Sequence, residues 1–160
     1  MTATVNEVTV LSARPLLEHW QGHRRLTRRV IDAFPEERLF HFSLGSMRPF
    51  SEMVIEFLKM AEPIVYGVAT GKWVSKDDLK PSTKAELLAL WDQATQAINK
   101  LWPTIPPHRF AEVDKAFGQW ESSGLNTILY AIDNETHHRG QAYVYLRVLG
   151  IEPPPFYERN

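Results

Sequence analysis

The densest run of side chains able to do chemistry is Asp133-Asn134-Glu135-Thr136-His137-His138-Arg139-Gly140-Gln141, set inside a segment that otherwise repeats apolar residues in helical rhythm. On a helix, Asn134 and His138 stand one turn apart on one face, which Tyr130 and Ala131 continue in one direction and Ala142, Tyr145 and Leu149 in the other. That face is expected to point inward. His137 is rotated from His138 by ~100°, so one of the two histidines belongs on the flank. A buried polar group without a partner costs about 1 to 3 kcal/mol, and a divalent ion is one way to supply the partner. Glu56 lies three residues after Met53 and four before Met60, which sets a carboxylate beside a second apolar stripe and makes it the natural counterpart of His138. Glu56 and His138 therefore nominate a site of mixed nitrogen and oxygen ligands between two helices. The same spacing also serves a hydrogen-bonded core histidine beside a solvated glutamate, and spacing alone does not separate the two.

Four helices are needed to position these residues, over about 13–34, 48–70, 83–102 and 124–149. The first opens at Ser12 with Pro15 in its first turn, carries Leu16, Trp20, Leu26, Val30 and Ile31, and closes before Pro35. The second follows a turn at Gly45-Ser46 and repeats Phe50, Met53, Val54, Phe57, Met60 and Ile64 at spacings of three and four. Pro63 is expected to bend or end it. Thr83 and Glu86 have the spacing of a capping box ahead of Leu87, Leu90, Trp91, Ala94 and Ile98. Proline residues from Pro103 to Pro107 open a long connection to about Ser123, and the last helix stops at Gly150 ahead of Pro153. No segment alternates as a half-buried strand must; Ala142 to Val148 does so briefly but continues a helical pattern. Four apolar stripes facing one axis make an all-α, antiparallel four-helix bundle in a single domain spanning 1–160.

Bulk composition narrows the function. A net charge of -1 provides no field to attract nucleic acid or an anionic membrane, and no nucleic-acid motif accompanies the basic run Arg24, Arg25, Arg28 and Arg29. The absence of cysteine excludes thiolate nucleophiles and thiolate metal sites, leaving nitrogen and oxygen ligands. Met1 to Glu7 lacks the basic and apolar blocks of a secretory leader, and no apolar run reaches ~18 residues, so a cytoplasmic location is expected. His19 and His23 also have the spacing of a helical metal pair, but the neighbouring arginines disfavour a cation, and a solvated or dimer-facing surface is the expectation. Trp20, Trp91 and Trp102 are assigned to packing, whereas Trp73 and Trp120 fall in connections where they could cover a pocket mouth. Arg139 is expected to hold the Pro153 to Tyr157 segment or a nearby carboxylate.

His137-His138-Arg139-Gly140-Gln141, followed by Tyr145-Leu146-Arg147, Gly150 and Pro153-Pro154, resembles the C-terminal signature of the DinB/YfiT-like family. Met47-Arg48-Pro49-Phe50-Ser51-Glu52-Met53 resembles the start of that family's second helix. The resemblance implies up-down-down-up topology, a long crossover between the second and third helices, and frequent homodimers. It also implies a divalent ion (Zn, Ni, Fe or Mn class) held by one histidine of the second helix and two of the fourth. Here those positions fall on Glu56, Asn134 and His138, so weaker binding and a preference for harder ions are expected. Two functions follow from it. One is a metal-dependent enzyme of hydrolase or thiol-dependent transferase type acting on a small molecule; the other is a non-catalytic, dimeric ligand-binding or stress-response protein that has lost the metal.

Overall fold

The computed structural model describes residues 11–160, so the leader expectation for Met1 to Glu7 lies outside the described residues. Among the described residues there are five α-helices: α1 (Ala13–Ala33), α2 (Glu36–His41), α3 (Phe50–Thr70), α4 (Lys84–Leu101) and α5 (Gly124–Val148). The long four are those the apolar spacing defines. Their neighbours fix the topology, because α1 and α3 each pack against both α4 and α5 and so stand diagonally across the bundle.

Two apolar clusters give the helix directions. Trp20 near the start of α1 shares one cluster with Val65 and Val68 late in α3, Ile98 late in α4 and Ile128 early in α5. Phe34 at the end of α1 shares the other with Phe50, Leu87 and Tyr145. Hence α3 and α4 run opposite to α1, and α5 runs with it: up, down, down, up. Parallel neighbours α3 and α4 need a crossover the length of the bundle, and the stretch from Gly71 to Thr83 provides it. Thr83 then caps α4 by the capping box: its hydroxyl accepts the Glu86 N–H, and Glu86 accepts the Thr83 N–H. Ser12, by contrast, stands at the N-cap of α1 without a side-chain capping bond.

Three features depart from the sequence-based expectations. Pro63 does not end α3, which runs on to Thr70; the buried flank of Pro63, Ile64 and Val65 outweighs the lost backbone bond. The stretch after Pro35 re-forms a short helix, α2, which buries Leu39. The long connection after α4 contains two single-turn 3-10 helices and an antiparallel hairpin, β1 (Val113–Ala116) with β2 (Trp120–Ser123). Its three-residue tip places Phe117 at φ 52° and Gly118 at φ 69°, both left-handed.

The hairpin is tied to the end of α3. Arg109 donates through Nε to the Val68 carbonyl at 2.8 Å and through Nη2 to Asp114 at 2.8 Å, and the Trp73 indole N–H donates to the same carboxylate at 3.1 Å. Gly67 is needed for this arrangement, since a Cβ there would overlap the Trp73 ring. Among the described residues no helix is long and apolar enough to cross a membrane.

Candidate functional site

The polar block of α5 faces two neighbours at once. Adjacent helical positions are ~100° apart, so Asn134 and His138 turn toward α3 while Glu135 and Arg139 turn toward α1.

On the α3 side the structure brings Glu56, Asn134 and His138 together. Asn134 Nδ2 donates to Glu56 Oε1 at 3.0 Å, and His138 Nε2 lies 3.5 Å from the same oxygen. His138 Nδ1 donates to Gln141 Oε1 at 2.6 Å, which turns Nε2 toward the carboxylate. The ring lies beside Phe57 at 5.9 Å between centroids. Arg48 Nη2 closes the cluster at 2.6 Å from Glu56 Oε2, and its backbone is held by the Tyr145 hydroxyl, which donates to the Arg48 carbonyl at 2.9 Å. Burial raises the Glu56 carboxyl, but hydrogen bonds from Asn134 and Arg48, with the Arg48 and His138 charges, more than reverse it and hold it below its usual value. The cluster is half-buried rather than enclosed, with the His138 side chain 15% and the Glu56 side chain 30% exposed. His137 points to solvent, as the ~100° rotation requires.

Two features of this cluster suit a cation. Asn134 Oδ1 is buried without a hydrogen-bond partner, and a bare acceptor of this kind needs a donor or an ion. His138 has the orientation of a metal-ligating imidazole, with its far nitrogen held by a carbonyl oxygen. Among the described residues no three histidine or carboxylate side chains converge, so a three-ligand set here requires the amide of Asn134. Arg48 is a competing cation on the Glu56 carboxylate.

On the α1 side lies a buried network that the sequence did not reveal. Glu135 accepts from the Thr27 hydroxyl at 2.6 Å and from the Trp20 indole N–H at 3.2 Å, with Arg24 and Arg139 close on either side at 3.9 and 3.7 Å. Arg139 also donates to Thr27 Oγ1 at 2.9 Å and to His23 Nδ1 at 2.8 Å. Arg24 is stacked over Trp91, with 4.0 Å from its guanidinium carbon to the ring centroid, and burial brings its pKa down to about 10. The expectation of a solvated or dimer-facing surface at His19 and His23 is therefore corrected: His19 is exposed, but His23 and Arg24 are buried. A signal was present in the spacing, since Trp20, Arg24, Thr27 and Ile31 form one stripe, matched on α5 by Ile128, Ala131, Glu135, Arg139 and Ala142. The expected carboxylate partner of Arg139 is Glu135, one turn away.

The model of the DinB family matches residues 1–160. The chain belongs to the DinB family. The Bacillus subtilis protein YjoA, itself uncharacterized, is 21% identical over 148 residues, covering 91% of this chain and 96% of YjoA. The crystal structure of that DinB-like protein superposes with a TM-score of 0.75 at 17% identity, covering 91% of this chain and 99% of the other. A DinB-like protein from Bacillus cereus gives a TM-score of 0.74 at 16% identity, covering 90% of this chain and 97% of that one. At such identities the structural likeness speaks for the fold, and the all-α DinB-like architecture is the one described above. What this member does must be argued from its own side chains.

Proposed function

We propose that this DinB-family chain is a metal-dependent enzyme acting on a small molecule, with Glu56, Asn134 and His138 holding a divalent ion of the Zn, Ni, Fe or Mn class. The observation that carries the reading is the buried, partnerless Asn134 Oδ1 beside a histidine nitrogen and a carboxylate oxygen that lie 3.5 Å apart. Such an ion would supply Lewis-acid activation of a water, carbonyl or thiol, the chemistry of a hydrolase or a thiol-dependent transferase. Around it the chain's own residues have separable tasks. Gln141 orients His138, Tyr145 anchors the Arg48 backbone, and Arg48 holds the Glu56 carboxylate ionised.

A second reading is favoured by one specific contact, the 2.6 Å pair between Arg48 and Glu56. Here the carboxylate already has its counter-ion, and the protein is a non-catalytic, homodimeric small-ligand or stress-response protein. Elemental analysis of protein purified without an affinity tag separates the two. The metal reading expects near-stoichiometric metal in the wild type and loss of most of it in His138→Ala. Substoichiometric metal in the wild type, or metal retained by the variant, leaves the second reading standing. The second reading expects added divalent ions to leave the melting temperature unchanged, because only a ligand that prefers the native state shifts it.

A further inference from the structure

One helical turn from Glu56 along α3 and from Asn134 along α5, the hairpin leans over a pocket of about 560 Å³. That volume lies within the range of small-molecule sites, roughly 300 to 1,000 Å³. Met60 and Ile64 of α3 are apolar walls, and Phe117, Trp120 and Tyr130 supply aromatic ones. Two of those aromatics are unusually open, Trp120 at 61% and Tyr130 at 59% exposure, although one belongs to β2 and the other to α5. Large exposed rings at the mouth of a concave site are binding surface left uncovered.

The pocket wall also contains a backbone irregularity. Phe117 occupies the left-handed region at φ 52°, a conformation costly for a bulky L-residue. What it gains is the ring's place in an aromatic row, 5.3 Å from Trp73 and 6.2 Å from Trp120. The ionic lining balances, with Lys59 against Asp77, and amide side chains from Gln119 and Asn126 add donors and acceptors.

We infer that this pocket binds a flat, uncharged aromatic or heteroaromatic small molecule bearing an N–H or O–H donor, its ring against Phe117, Trp120 and Tyr130. The inference deepens the function proposed above and rests on it only for the reacting end of the ligand, which would point toward Glu56. Binding of the ring is independent of any metal.

The test uses carbostyril, a flat bicyclic lactam, and its fully saturated bicyclic counterpart, which keeps the lactam donor and acceptor but not the planar ring. Each is titrated into the full chain and followed by the Trp120 indole N–H resonance and by calorimetry. Carbostyril is expected to shift that resonance and to bind about ten-fold more tightly than the saturated lactam, as a ring-stacking preference implies. Trp120→Ala and Tyr130→Ala, both at exposed positions, are each expected to weaken carbostyril by about ten-fold. His138→Ala is expected to leave it unchanged. Equal affinity for the two lactams, no binding by either, or full binding in both aromatic variants overturns the inference. Loss of binding in His138→Ala overturns it too, by moving the ring to the polar cluster. Failure of the metal analysis alone leaves these results untouched, so the two proposals fail separately.

Discussion

Thr27 Oγ1 donates a 2.6 Å hydrogen bond to Glu135 Oε1, joining the middle of α1 to the middle of α5 where both are buried. The bond sits between the two apolar clusters. Glu135 is also the only carboxylate within ion-pair reach of Arg24 among the described residues, at 3.9 Å. Glu135→Ala would leave Arg24 and Arg139 buried without their shared counter-charge, and stripping one partner from a buried ion pair costs about 3 to 5 kcal/mol. Glu135→Gln retains acceptor and shape and is expected to lose clearly less. Urea unfolding of the three proteins measures the difference; equal stability of Glu135→Ala and the wild type would mean the network contributes nothing to folding.

His23 makes the fold sensitive to acid. Burial first, then the charges of Arg139 and Arg159 and the neighbouring His19, pushes its imidazole from 6.5 down to about 3. Its Nδ1 must stay unprotonated to accept from Arg139 at 2.8 Å. Between those two pH values the unfolded chain takes up a proton at His23 that the native chain refuses, so stability is whole above pH 6.5 and declines as pH falls toward 3. His23→Gln keeps an acceptor for Arg139 and removes the titration. Melting temperatures recorded from pH 7 to pH 4 should fall less steeply in His23→Gln, and parallel curves would refute the assignment.

Gly67→Ala tests the tie between α3 and the hairpin. The added methyl would overlap the Trp73 ring, whose indole N–H reaches Asp114 and so holds β1. A helical Gly→Ala change normally stabilises by about 0.5 to 1 kcal/mol. Here overpacking should reverse the sign, with a net loss of about 1 to 3 kcal/mol. Chemical unfolding gives the sign directly, and a stabilised variant would show that Trp73 can move away at no cost.

How much of this was legible in the sequence depended on whether a residue's surroundings are set by its own helix. Glu56 and His138 could be paired because each lies beside an apolar stripe of a long helix, and two such helices in a bundle must face each other. Arg24 was hidden by its company: in a run with Arg25, Arg28 and Arg29 it looks solvated, and only its register with Trp20 and Thr27 marks it as inward. Glu135 was obscured in the same way, by lying next to Asn134 in a block with two polar faces. The hairpin was missed because its strands are four residues each and mostly polar, too short for alternation to rise above chance. Pro63 does not end α3 because tertiary burial of its flank overrides local propensity.

Asn134 is the weakest member of the candidate metal set and the most informative one to change. Its amide oxygen is neutral, whereas an imidazole at the same place would give a nitrogen donor one turn from His138 on the same face, the standard helical chelating pair. The substitution also removes the 3.0 Å hydrogen bond that Asn134 gives to Glu56, freeing that carboxylate oxygen for an ion. Asn134→His should therefore raise affinity for zinc by at least about ten-fold, or 1.4 kcal/mol, and zinc should then raise the melting temperature of the variant more than that of the wild type. Competition with a chromophoric chelator measures the affinity. If Asn134→His binds zinc no better than the wild type, then Glu56 and His138 do not present their donors to a common point, and the short distances of the cluster reflect hydrogen bonding around Arg48 alone.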